Sequence, residues 1–294
     1  MRFVVFGSKG IIGSDLVRQL SGNHNVVAVD TNIDECKIET ENTIKYIQAN
    51  ILDATAVRAI LEQGDVVVNL AGISRITDCN TDVVKSLEAN VVGAVVLLEA
   101  SLNAKCDHFI QASSLYANGP WGGFYSCSKR AIEDYIACYS RVKKLNSTIV
   151  RYGSVFGGGA DSNSLMARII LASKPKYSDI PLNINPNLVR DYIPVDLVNN
   201  FIIKNAGNPE LYSKTIEFEF GEKMGVQKLL EIIQRNEQRS LTRSLSFTQP
   251  TMEDFGQYID SPSGLHSFTV EMMKLESEEK NLEDYLLDLS HDLS

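Results

Sequence analysis

The sequence predicts an α/β protein built on a doubly wound parallel sheet, followed by a smaller, mixed α/β region. Three observations predict it. Short β-branched runs alternate with longer helical patterns through the first half of the chain, the signature of right-handed βαβ units with helices on both faces. The first of these runs ends in a glycine-spaced turn that opens a helix. The 294 residues are 44% apolar and 22% charged, an ordinary globular composition with enough length to bury a core without staples.

Taken in order, residues 2–6, 26–30, 65–70, 109–112 and 147–151 read as buried strands. Residues 12–20, 55–63, 82–102 and 126–143 read as the helices between them. Residues 1–155 are therefore expected to form a dinucleotide-binding domain, to which a later segment, about 188–206, returns. Beyond Gly157 the pattern loosens. Gly157-Gly158-Gly159 and residues 174–194 predict loops with short elements, and residues 196–205 and 226–235 predict helices. With a strand over 215–220, these make up a substrate-binding region at 156–275.

The formal charge of −9 is unevenly spread: residues 276–294 hold seven acids and Lys280, or −6, leaving −3 on residues 1–275. Leu275, Leu282, Leu286, Leu289 and Leu293 recur at helical spacing, so this tail reads as an acidic amphipathic helix that docks on the body or a partner, or frays. The acidic balance argues against a nucleic-acid binder, and the longest near-apolar run, residues 91–98, cannot span a bilayer. The apolar start after Met1-Arg2 is too short for a signal peptide, and the five scattered cysteines contain no Cys-x-x-Cys pair. A cytoplasmic protein with reduced thiols and no metal site is expected.

The turn reads Gly7-Ser8-Lys9-Gly10-Ile11-Ile12-Gly13. Gly7 permits a tight strand-to-helix turn, Gly10 lets backbone amides approach a pyrophosphate, and Gly13 lets the helix pack on the sheet. Asp30 stands seventeen residues after Gly13, at the end of the second strand, where a carboxylate accepts hydrogen bonds from an adenosine ribose. Lys9 could hold a 2′-phosphate that Asp30 would repel. No arginine follows in Thr31-Asn32-Ile33, so NAD is favoured over NADP.

Tyr125-Ser126-Cys127-Ser128-Lys129 opens a helix, and Ser113-Ser114 ends the strand before it. Positions i and i+4 share one helix face, so phenol and ammonium can face one ligand. A phenol ionises near pH 10 in water, too high for a base at neutral pH. A cation about 4 Å away at an effective dielectric near 20 favours phenolate by roughly 4 kcal/mol, enough to bring it into working range. Ser114 would orient the reacting oxygen.

Further motifs follow in order: Asn69-Leu70-Ala71-Gly72, Asn90-Val91-Val92-Gly93, Arg151-Tyr152-Gly153-Ser154-Val155-Phe156-Gly157 and Arg190-Asp191-Tyr192-Ile193-Pro194-Val195-Asp196. From residue 1 to about 235 the chain resembles the extended short-chain dehydrogenase/reductases, the NAD-dependent epimerase/dehydratase family acting mostly on nucleotide sugars. The resemblance implies a Rossmann-like fold and NAD. It puts Gly7, Gly10 and Ile12 around the pyrophosphate, with Lys9, Ile11 and Gly13 also among the cofactor-binding residues, Asp30 on the ribose, and Asn50 and Ile51 at the adenine. Leu70, Ala71, Gly72 and Asn90 would lie on the nicotinamide side, with Tyr152 and Val155 near its carboxamide. Tyr125 is the implied acid/base, Lys129 its partner, and Ser114 the third member. Ser154, Asn163, Ser164, Leu165 and Arg190 would hold the sugar nucleotide.

Departures from the family pattern narrow the chemistry. Leu115-Tyr116 stand where the 4,6-dehydratases carry Asp-Glu, and Tyr116 stands where the 3,5-epimerase/reductases carry cysteine. Ser154 replaces a usual asparagine. Only ten residues separate Ser114 from Tyr125, so the loop is tight, with Trp121 expected near the pocket. Cys127 is expected as a small buried thiol, and Asp196 as a helix N-cap. What remains is a nucleotide-sugar epimerase, most simply at C4 through a transient 4-keto sugar. The alternatives are an NAD(P)H-dependent reductase of a keto-sugar nucleotide and a non-enzymatic dinucleotide sensor. A homodimer is implied, paired through residues 82–102 and 126–143, where Val91, Val95, Leu98, Ile132 and Ile136 serve the interface or the core.

Overall fold

The computed structural model of the chain describes residues 1–33, 43–157, 166–167, 189–221, 223–236, 269–275 and 280–292. β1 (Arg2–Phe6) runs through the glycine turn into α1 (Ile11–Leu20), and β2 (Asn25–Asp30) lies parallel beside β1, Val4 opposite Val27. β3 (Ile44–Gln48) adds to the outer edge of β2. Sequence patterning misses β3 because an edge strand has one neighbour and only partial cover, so it carries Lys45 and Gln48 at its two exposed positions.

After α2 (Ala54–Ile60), whose Asp53 cap accepts from the amides of Thr55 and Ala56 at 3.0 Å, β4 (Val66–Asn69) returns to the other side of β1. The single helix expected over 82–102 is broken: α3 (Ile76–Thr81) and α4 (Val83–Leu87) precede a π turn at Glu88–Val92 and then α5 (Gly93–Ala104). The break has a local cause. Asp82 caps α4 through the Lys85 amide (3.0 Å), and the π turn faces Asn90 inward.

β5 (His108–Ser114) leads into α6 (Phe124–Cys138), which ends in a second π turn, Tyr139–Lys143, and β6 (Ser147–Tyr152) follows. β7 (Ser154–Phe156), β8 (Val189–Pro194), α7 (Val195–Asn205), β9 (Lys214–Glu219), β10 (Lys223–Gly225), α8 (Val226–Asn236), β11 (Thr269–Lys274) and α9 (Leu282–Asp292) complete the described elements. Eight parallel strands form one sheet in the order β11-β9-β6-β5-β4-β1-β2-β3, and β10-β8-β7 form a small mixed sheet. The large sheet thus takes β9 and β11 from far beyond residue 155.

Alternate side chains of each strand feed opposite cores, as a pleat requires. Phe3 and Val5 face one core with Leu16 of α1, Val198 of α7 and Leu282 and Leu286 of α9. Val4 and Phe6 face the other, with Leu97 of α5 and Ile132 of α6. Val91, Leu98, Ile132 and Ile136 are buried within the chain and Val95 packs against the second core. The exposed apolar side chains of these helices are different ones: Val84, Leu87, Val92, Phe124, Tyr135 and Val142. Asp196 lies in the first turn of α7 and is not its cap, which is Pro194; its carboxylate accepts from the Tyr285 hydroxyl at 3.3 Å. No helix among the described residues is long and apolar enough to cross a membrane.

At the amino end of β5, burial pushes the His108 imidazole down to about 4. Its Nδ1 accepts from the Gly207 amide at 3.1 Å, and its Nε2 lies 2.8 Å from Thr148 Oγ1, whose proton goes to the Leu211 carbonyl at 2.7 Å. The ring is therefore held neutral with its proton on Nε2. Because the folded pKa lies below the unfolded 6.5, this site's stability is complete above pH 6.5 and is lost as pH falls through about 4. Urea midpoints at pH 7 and pH 4.5 should fall further apart in the wild type than in His108→Gln, a loss of up to about 3 kcal/mol. Equal pH dependence in the two proteins would refute this.

Candidate active site

β2 and β4 flank β1 on opposite sides, so the order of strand addition reverses at β1 and opens a crevice at the carboxyl ends of the strands. Gly7 makes the turn into α1 with φ +82, and a Cβ there would lie 2.6 Å from the Ala71 amide nitrogen. Gly13 is equally constrained, since a Cβ would come within 2.2 Å of the Gly7 carbonyl oxygen. Asp30 closes the turn: its carboxylate accepts from the Lys9 amide at 3.0 Å and from the Asn32 amide at 3.2 Å. The Lys9 side chain is exposed.

Gly10 behaves differently. A Cβ there would meet nothing nearer than the Gly7 carbonyl at 3.5 Å, yet the residue lines both cavities of the crevice. One cavity, about 520 Å³, holds Asp30, Asn50, Ile51, Ala71 and Gly72 in its wall. The other, about 600 Å³, is lined by Ile11, Ile12 and Gly13 at the start of α1, and by Ser114, Tyr125 and Lys129. They share Gly7, Gly10, Leu70 and Gly72, and so form one elongated groove. A dinucleotide fits this groove on two counts. Gly10 leaves the space a side chain would fill at a helix N-terminus, and the buried Tyr152 hydroxyl, in the second cavity's wall, has no hydrogen-bond partner in the protein.

Gly10→Ala is accordingly expected to fold with nearly wild-type thermal stability while losing dinucleotide affinity by roughly ten-fold or more, because one methyl displaces the pyrophosphate from its amides. Thermal melts beside NAD titration by calorimetry would separate the two effects; unchanged affinity would contradict the placement.

The candidate reacting groups come from β5 and α6. Ser114 ends β5 and caps a single 3-10 turn, Leu115–Asn118, its Oγ accepting from the Tyr116 amide at 3.2 Å. Tyr125 and Lys129 are buried on one face of α6, one turn apart, with Lys129 Nζ 5.7 Å from the Tyr125 ring centroid. The Lys129 ammonium donates to the Ala112 carbonyl at 3.1 Å. Burial pulls the Lys129 pKa down to about 8, although Cys79 and Glu133 nearby act the other way. The ammonium form still predominates at neutral pH.

Arg190 of β8 lines the same cavity, its guanidinium 3.4 Å from both Ser154 Oγ and the Tyr116 hydroxyl. It makes no salt bridge with Asp191, which instead accepts from the Phe220 and Gly221 amides. Beneath the Ser114 turn lies a buried ion network. Arg151 donates to both carboxylate oxygens of Glu133 (2.9 and 2.6 Å) and to Glu217 (2.7 Å), and it also bonds Asn118.

Most of the expected site residues line the groove. Ser154 reaches it only through Arg190. Lys9 does not line it, its side chain being exposed, and neither does Asn90: its amide is consumed by the Ile73 backbone (2.7 and 3.0 Å) and Ser128 Oγ (3.0 Å), which makes it a brace for the turn after β4. Cys127 is exposed, not buried, because position i+2 of the Tyr125 face points to solvent. Trp121 packs over Gly119 and lies outside the described cavity walls. Asn163, Ser164 and Leu165 lie outside the described residues. Sequence reasoning missed Arg75, whose place just past β4 at the reversal of the sheet was the available signal.

Known proteins resemble this chain in sequence and in fold. A sequence profile described as the NAD dependent epimerase/dehydratase family matches residues 3–204. UDP-glucose 4-epimerase of Mycolicibacterium smegmatis is 26% identical over 234 residues, 71% of this chain and 74% of that protein. dTDP-D-glucose 4,6-dehydratase of Dictyostelium discoideum is 24% identical over 278 residues, 79% of this chain and 62% of that one. The structure of the UDP-glucose 4-epimerase of Thermus thermophilus in complex with NAD superposes with a TM-score of 0.77 at 17% identity, covering 100% of this chain and 99% of that one. At that identity the likeness is one of fold.

Proposed function

Because the chain belongs to the NAD-dependent epimerase/dehydratase family, we propose that it is a nucleotide-sugar epimerase acting at C4 through a transient 4-keto sugar. NAD, when bound, would supply the reversible hydrogen acceptor at the reacting carbon. The observation that carries the epimerase reading is the composition of the reacting cavity. Among its described lining residues are Tyr125, Lys129, Ser114, Arg75 and Arg190, and no Asp or Glu. Elimination of water needs an additional acid and base, and Leu115 and Tyr116 supply neither carboxylate. Epimerisation needs only one proton acceptor that returns to its starting state.

Tyr125 would take the proton of the C4 hydroxyl while Ser114 hydrogen-bonds that oxygen and fixes its distance from the phenol. Lys129 would keep a positive charge beside the Tyr125 phenolate, holding it ionised to accept that proton. Arg190, unpaired with any carboxylate among the described residues, would grip the substrate diphosphate, for which a guanidinium fork suits well. The keto sugar then presents its other face, and Tyr125 gives its proton back.

Mass spectrometry of the protein as purified should show retained NAD, and incubation with UDP-, GDP- and dTDP-sugars should give the C4 epimer with no net change in NADH absorbance. NADH consumed mole for mole with product would replace this reading with a reductase. A product lighter by one water would replace it with a dehydratase. The reading also carries a homodimer in the cytoplasm. Six of the ten large apolar side chains exposed among the described residues lie on α4, α6 and the π turns that follow them, a face suited to a second copy. Sedimentation of a monomer at micromolar concentration would reject it.

A further inference from the structure

We infer that Tyr116 is the specificity-determining residue of the sugar subsite, its hydroxyl hydrogen-bonding a ring hydroxyl that lies between the anomeric phosphate and the oxidised carbon; this rests on the nucleotide-sugar reading above. The placement comes from its neighbours on either side. At one end, the Tyr116 hydroxyl is 3.4 Å from Arg190 Nη2, the guanidinium available to a diphosphate. At the other, the Tyr116 ring packs edge-on against the ring of Tyr125, centroids 6.3 Å apart. A pyranose held by its anomeric phosphate at Arg190 and by its C4 oxygen at Tyr125 must therefore lie along Tyr116. The residue lines the same cavity as Ser114, Lys129 and Arg190.

Tyr116 is also held still, which a reading residue requires. Ser114 Oγ fixes its amide at 3.2 Å, so the hydroxyl that orients the reacting oxygen also sets the backbone of Tyr116. Asn118, two residues on, is tied to Glu217 at 2.8 Å and to Arg151. On the outer side Gly122 makes room for the ring, since a Cβ there would come within 3.3 Å of Tyr116 Cδ1. A phenol fixed this way meets the sugar at little further cost in entropy.

The test uses the NAD-loaded protein and calorimetry. UDP-, GDP- and dTDP-glucose identify the nucleotide that binds, and its 2-, 3- and 6-deoxyglucose forms are then compared in the wild type and Tyr116→Phe. The expected result is a thermodynamic cycle with one coupled hydroxyl. Tyr116→Phe weakens the parent sugar nucleotide and its 6-deoxy form roughly ten-fold, and either the 2- or the 3-deoxy form binds both proteins equally; coupling to the 6-hydroxyl instead overturns the inference. A merely structural role would weaken all forms by a common factor, and that outcome, or no weakening at all, overturns the inference while leaving the epimerase reading intact. Failure of every nucleotide sugar to bind the wild type overturns both.

Discussion

Arg151→Met is expected to destabilise the fold by about 3–5 kcal/mol, more than any other single change in the site's surroundings. Arg151 is 1% exposed, and Glu133 and Glu217 around it are 2% and 6% exposed. Burial alone would lower the pKa of the guanidinium, but Glu133 and Glu217 outweigh it and raise that pKa above its ordinary value. Methionine fills much of the volume and removes the guanidinium that Glu133 and Glu217 share in a buried interior. The same change takes one partner from Asn118, so the turn bearing Ser114 and Tyr116 loses part of its support. Urea unfolding should show a lower midpoint with an unchanged slope. The triple variant Arg151→Met, Glu133→Leu, Glu217→Met should recover much of the loss, because the penalty lies in the uncompensated charges and not in the absence of the pair. A loss below about 1 kcal/mol for the single change would mean that water reaches the network.

That network also marks the boundary of what the sequence discloses. The strands at the centre of the sheet are legible because both faces are buried, which forces continuous runs such as Val66-Val67-Val68. The glycine turn and the Tyr125–Lys129 pair are legible because their function depends on local spacing. β3, β8 and β11 are not, since edge strands and strands of a small sheet are covered on fewer sides and their composition blurs into that of loops. Arg151, Glu133 and Glu217 are joined only by the packing of β6, α6 and β9, and no local pattern announces a contact across 66 residues. Asn90 is instructive in the other direction. Its motif position is visible, but its task is to brace Ile73 and Ser128, which emerges only once the π turn is seen.

Lys129→Met should give a protein that is nearly inactive and more stable than the wild type. Activity should fall by roughly 10²- to 10⁴-fold, the usual contribution of a positioned acid–base system, because the phenol of Tyr125 loses its cationic neighbour. Stability should rise because the fold without ligand pays to bury an ammonium whose one protein acceptor is the Ala112 carbonyl. A lysine with a folded pKa of about 8 and an unfolded one of 10.5 binds fewer protons in the fold than in the unfolded chain between those values. Stability of the wild type therefore rises with pH across that window, and the full penalty, about 3 kcal/mol, applies below it. Methionine removes the penalty and forfeits one hydrogen bond of about 1 kcal/mol, a net gain of about 2 kcal/mol at pH 7. The advantage should shrink as pH climbs from 8 towards 10.5, where the wild-type lysine is neutral in both states. Melting the two dinucleotide-free proteins side by side from pH 7 to pH 10 measures this directly. A variant less stable at pH 7, or an advantage that ignores pH, would show that the Lys129 ammonium is better solvated than its burial implies, and that this corner of the site is not held under strain for the sake of its chemistry.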